Sequence, residues 1–105
     1  MKPAELLPLA GADLVERARY YQGSGGDELG RRFFAAALDA LRSAEFMPGI
    51  GSPLIGQIID IPEMRRMGVV GFPCGWFYIE RDDHLDVIRL LADRQDLRAL
   101  LGGTE

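Results

Sequence analysis

The stretch "MRRMGVVGFPCGWFYIERDDHLDVIRLLA", residues 64–92, decides how this chain folds. It holds three runs with strand preferences, Met64–Val70, Gly75–Glu80 and Leu85–Ala92, rich in aliphatic, aromatic and β-branched residues. Turn-forming segments at Gly71–Pro73 and Arg81–His84 separate them. Links this short cannot make a crossover, so the runs are expected to form an antiparallel meander. Strand alternation then sends Trp76 and Tyr78 to one face and Phe77 to the other. Cys74, between Pro73 and Gly75, has no base or ligand beside it and reads as a packing residue.

Upstream of the meander the pattern changes. "MPGIGSPLIG" (residues 47–56) is dense in Pro and Gly and reads as an ordered loop. Before it, Asp27 is a suitable N-cap for a helix reaching about Ser43, with Leu29, Phe33, Ala36, Ala37, Ala40 and Ala44 on one side and Phe34, Leu38 and Leu41 adjoining. The alanines allow close approach of another element. An earlier helix runs from Ala10 to about Gln22, with Leu14, Ala18 and Tyr21 at helical spacing, and "GSGG" (residues 23–26) is expected to end it. "AELLP", near the N-terminus, is a candidate short edge strand flanked by Pro3 and Pro8. Downstream, Leu97, Leu100 and Leu101 suggest a short turn over the sheet, with Asp96 as its cap. The fold class is α+β: an N-terminal helical hairpin packed on a small antiparallel sheet of three to four strands.

Length and composition agree with this. The 105 residues suit one domain spanning 1–105, with 48% hydrophobic and 27% charged residues. The net charge is −4, which argues against a protein whose main task is gripping phosphate backbones, and no direct specific nucleic-acid binding is expected. A single cysteine and a single histidine offer no Cys/His metal framework, so neither metal nor cofactor is expected. No stretch approaches a membrane span, and "MKPAELLPLA" is too short and proline-broken an apolar run for a secretory signal, which makes a cytoplasmic setting the default.

The order of elements, together with "PLAGADLVERARYY", "RRFFAAALDALRSAEFMPGIG", "MRRMGVVGF", "WFYIERDD" and "LDVIRLLADRQDLRALL", resembles the ParE branch of the RelE/ParE toxin superfamily, the toxin halves of bacterial type II toxin–antitoxin pairs. The resemblance runs from about Leu9 to Leu101. It implies DNA gyrase as target and a hetero-oligomer with a cognate, ParD-like antitoxin, whose N-terminal part binds DNA and whose C-terminal segment wraps the toxin. It departs from the family in a first strand poorer than usual in β-branched residues and at two positions near the end of the last strand. Ala92 stands where the last strand often ends in histidine, and Gln95 stands where a basic residue often precedes Asp96 and Leu97.

RelE-type relatives cleave mRNA on the ribosome, a reaction that needs a base, an acid and a phosphorane-stabilising cation. Here no lysine follows Lys2 and no tyrosine follows Tyr78; His84 lies in an acidic turn and reads as a solvated residue. Arginine can stabilise an oxyanion but is a poor general base. No catalytic residue is therefore assigned, and the ribosome-dependent endoribonuclease remains the alternative, beside a degenerate member that only binds antitoxin. The residues expected to meet an antitoxin or target are Arg65, Arg66, Arg89 and Arg94, as cations for acidic partners, with Trp76 and Tyr78 as aromatic anchors. Arg65 or Arg66 is expected to share a sheet face with Arg89. The competing reading pairs Arg66 and Arg89 with nearby acids of the strands.

Overall fold

A computed structural model describes residues 1–101 of the chain. Strand β1 (Ala4–Leu6) leads directly into helix α1 (Pro8–Phe46), which starts with Pro8 at its first turn, where the missing N–H costs nothing. A straight helix of 39 residues would be roughly 58 Å long. The longest dimension of the molecule is 38 Å, because α1 folds back on itself at Gly26 (φ 88°, ψ 178°). Only a residue without a Cβ takes this backbone conformation freely. The expected hairpin is therefore present, but the helix runs on through Ser24 and Gly25 and one glycine makes the bend. The two arms cross closely: a Cβ on Gly30 would lie 3.1 Å from the Cβ of Gln22 and 3.4 Å from the Ala18 carbonyl.

After a 3₁₀ turn at Pro48–Ile50 comes α2 (Leu54–Ile58), a short helix within the segment expected to be loop. Strands β2 (Met64–Gly68), β3 (Cys74–Glu80) and β4 (Leu85–Ala92) form the antiparallel meander, and α3 (Leu97–Leu101) closes the described chain. Asp96 caps α3, its carboxylate accepting from the Ala99 N–H at 3.1 Å. The sheet order is β1-β4-β3-β2, and β1 pairs with β4 in parallel, Ala4 opposite Leu85 and Leu6 opposite Val87. This corrects the all-antiparallel expectation. The helical hairpin carries the chain back across the sheet before β2 begins, so the first strand meets the last one in the same direction.

The sheet is covered on both faces. Phe33, Ala37, Ala40 and Ala44 of the second arm, with Ala10 and Leu14 of the first, pack on Trp76, Tyr78, Leu85, Val87 and Leu90. On the opposite face α2 and α3 cover Met64, Phe77, Ile79 and Leu91, with Ile55, Leu97 and Leu101 at the margin. That second layer explains why Cys74–Ile79 are all buried: a strand enclosed on both sides reads as a continuous apolar run. Trp76 and Tyr78 face the hairpin and Phe77 faces away, as alternation requires.

Candidate functional site

The residues singled out as partner contacts are, with one exception, engaged within the fold. Trp76 is fully buried and donates its indole N–H to the Ala37 carbonyl at 2.9 Å, tying β3 to the helical hairpin. Tyr78 is fully buried as well. Its hydroxyl donates to the Pro48 carbonyl at 2.7 Å and accepts from the Gly51 N–H at 3.1 Å. Arg65, opposite Tyr78 on β2, donates to the Gly51 carbonyl at 2.7 Å and to that of Gly49 at 3.3 Å. Tyr78 and Arg65 thus hold the loop that follows α1. Neither aromatic side chain is placed to anchor a partner in this conformation; both anchor the chain's own elements.

Burial pushes the Tyr78 phenol up from its usual value, with the Gly51 N–H and Arg65 pulling against it. The sign follows from the protonated form being favoured in the folded state. This stabilisation is fully present below about pH 10 and is lost as pH rises through the higher folded value. Tyr78→Phe is expected to cost about 1–3 kcal/mol in urea unfolding at neutral pH, since it leaves the Gly51 N–H buried and unpaired. It should also flatten the stability loss above about pH 10, measured as the dependence of the urea midpoint on pH.

Arg66 and Arg89 lie in one cross-strand row, flanking Phe77, but each guanidinium is taken by a different carboxylate. Arg66 pairs with Asp93 at 2.6 Å and lies over Gly75, where a Cβ would stand 2.8 Å from its Cζ. Arg89 pairs with Asp13 through two bonds of 2.7 and 3.0 Å, and both side chains are largely buried. They do not converge on a common anion site. The partner of Arg89 comes from the first arm of α1, and that of Arg66 from just beyond β4, so the strand acids of the competing reading are not the ones used. Arg94 alone is exposed, with no ion pair among the described residues.

His84, expected to be solvated, is also engaged. Nδ1 lies 2.7 Å from Asp83 Oδ1 and Nε2 lies 3.0 Å from Asp86 Oδ1. The Asp83 carboxylate, helped by Asp86 and Glu5, raises the basicity of the ring above that of an ordinary histidine. Buried Cys74 has its thiol pushed up by desolvation, which suits a packing role.

An open apolar surface lies on the helical hairpin. A groove of about 920 Å³ runs between the two arms, floored by Val15, Ala18, Phe34 and Leu38. Phe34 is 42% exposed and Val15 50% exposed. Arg19, Arg31 and Arg42 stand on its rims, together with Asp27 and Asp39. The Arg31–Glu28 and Arg42–Asp39 pairs, at 2.7 and 2.9 Å, are exposed and hence weakly held. Sequence periodicity had placed Phe34 and Leu38 beside the inward stripe of their helix; the groove arises because the second arm is apolar over more of its surface than the sheet alone can cover.

The architecture is a helical hairpin on a small mixed sheet within an α+β domain. Among solved structures, a chain described as "Chromosomal ParDE TA system from P. aeruginosa" is similar to this one with a TM-score of 0.74, at 16% sequence identity, over 88% of this chain and 96% of that chain. No family model matches the sequence, and no curated protein does. At that identity the likeness is one of fold. Among the described residues, no helix is long and apolar enough to cross a membrane.

Proposed function

We propose that this chain is a ParE-like toxin of a type II toxin–antitoxin pair, which acts by binding DNA gyrase and is neutralised by a cognate antitoxin. The likeness in fold to a chain of a ParDE system carries the reading, and the open apolar groove on the hairpin supports it. The antitoxin's C-terminal segment would lay an amphipathic helix into that groove, its apolar residues on Phe34 and Val15 and its acids towards Arg19, Arg31 and Arg42. The weakly held rim pairs can exchange their carboxylates for those of the partner. Arg94, exposed beside the last strand, is assigned to the same class of contact with an acidic partner. Gyrase as target rests on resemblance to the ParE branch, and on Ala92 and Gln95 offering neither acid nor base where RelE-type relatives place reactive groups.

Inducible expression in a bacterial host without the antitoxin tests this reading. The expected result is growth arrest with a DNA-damage response, relieved by co-expression of the gene product encoded beside it, and loss of supercoiling by purified gyrase. Ribosome-dependent mRNA cleavage would instead establish the endoribonuclease, and unimpaired growth a member that only binds antitoxin. Phe34→Ala is expected to weaken antitoxin capture by about 2 kcal/mol, roughly thirtyfold, read by calorimetry with the purified partner.

A further inference from the structure

Glu5 on β1 and Asp86 on β4 are register partners in the parallel strand pair, and His84 stands in the turn that leads into β4. One ligand atom from each of the three lies within 4.8 Å of the other two. We propose that Glu5, His84 and Asp86 form a binding site for a divalent transition-metal ion, with zinc as the best-matched member of that class.

The geometry supplies both the ligands and the groups that aim them. A tetrahedral ion with bonds of about 2.1 Å sets its donor atoms roughly 3.4 Å apart. His84 Nε2 lies 3.0 Å from Asp86 Oδ1 and 3.9 Å from Glu5 Oε1, distances on either side of that spacing. Behind the ring, Asp83 Oδ1 accepts from Nδ1–H at 2.7 Å, which fixes the ring orientation and directs Nε2 at the two carboxylates. A carboxylate behind a ligating imidazole is the usual support of a metal-bound histidine. Asp86 is held too: Arg81 Nε donates to its other oxygen, Oδ2, at 2.8 Å, leaving Oδ1 for the ion. The backbone around the site is pinned, with the Arg81 N–H donating to the His84 carbonyl at 2.8 Å and the Leu85 N–H to the Pro3 carbonyl at 2.9 Å. Three carboxylates, those of Glu5, Asp83 and Asp86, gather here around the Arg81 guanidinium, and the nearby Lys2 ammonium is itself paired with Glu80 at 2.6 Å, so the net charge is negative and suits a dication. The imidazole nitrogen selects transition metals over Mg²⁺ and Ca²⁺, which prefer all-oxygen ligands. The ion would join the N-terminal strand to the β3–β4 turn, and water would complete its coordination.

Calorimetric titration of the tag-free, chelator-treated protein with ZnCl₂ tests the proposal. One equivalent is expected to bind saturably, with the His84 Nε2 resonance shifted in ¹⁵N NMR and the folded-to-unfolded ratio raised about 100-fold at zinc 100 times its dissociation constant. His84→Gln and Glu5→Gln should each abolish the one-equivalent step, and Asp83→Asn should weaken it about 10- to 100-fold. Glu5 is 62% exposed on its side chain, so that variant keeps the test valid if a turn substitution disturbs folding. Absence of saturable binding, unchanged affinity in His84→Gln, or displacement of zinc by equimolar Ca²⁺ would each overturn it.

Discussion

Asp13→Ala is expected to lower the stability of this domain by about 3–5 kcal/mol, because it leaves the Arg89 guanidinium largely buried without its counter-ion. The carboxylate does three things at once. It receives Arg89 Nε at 2.7 Å, Arg89 Nη2 at 3.0 Å and the Leu90 N–H at 3.0 Å. Strand β1 stops at Leu6, opposite Val87, so β4 continues beyond it with an open edge. Asp13, on the first turns of α1, stands where a longer strand would have supplied the next acceptor. The paired variant Asp13→Leu/Arg89→Met should recover most of the loss, since neither charge is then stranded and apolar groups of similar size fill the site. Urea unfolding of the two single variants and the pair gives the coupling directly. A cost of less than about 1 kcal/mol for Asp13→Ala would mean that the pair behaves as a surface contact.

Trp76→Ala is the second large effect, at about 3–5 kcal/mol. The side chain is fully buried between the hairpin and the sheet, and its N–H reaches the Ala37 carbonyl. Alanines 37, 40 and 44 share its core cluster and are too short to fill the space left behind, and only the cross-strand neighbours Met67 and Leu90 can partly collapse into it. Against a total stability of about 5–15 kcal/mol for a domain, such a loss brings the fold close to its limit at 37 °C. Trp76→Phe keeps most of the volume and should cost roughly 1–2 kcal/mol, which separates the cavity from the hydrogen bond. Circular dichroism during denaturant titration reads both variants. In the parent protein the single tryptophan reports the same transition by fluorescence, with emission shifted to short wavelength by its dry surroundings.

The strands of the meander were legible because β preference and turn residues alternate so cleanly from Met64 to Ala92. The helical stripe Phe33, Ala37, Ala40 and Ala44 was legible for the same local reason. What escaped was set by distant contacts. Nothing local distinguishes a parallel from an antiparallel partner for Ala4–Leu6, and five residues of helix at Leu54–Ile58 carry too little periodicity to stand out from a Pro/Gly loop. The arginines show the same limit more sharply. The true acceptors of Arg65, Arg66 and Arg89 escaped because they are remote or have no charge at all: loop carbonyls at residues 49 and 51, and carboxylates at 93 and 13 rather than the nearby strand acids. An arginine inside an apolar strand is a sign of an internal counter-ion as much as of an external partner. Trp76 and Tyr78 follow the same logic, since their polar ends are satisfied by backbone from elements far away in sequence.

The parallel pairing of β1 with β4 has a consequence for the order of assembly. The strand pairing of Ala4–Leu6 is made entirely with residues far along the chain, from Leu85 to Val87. During synthesis the helical hairpin leaves the ribosome before β3 and β4, and until they follow its inner stripe lacks the strands it packs on. The strand made first is then the last to find its place, since a closure this long is entropically slow compared with hairpins formed between neighbours. For most of its synthesis the chain therefore displays the apolar side of its helices, and protection by a chaperone, or by a partner already present, would act in that interval.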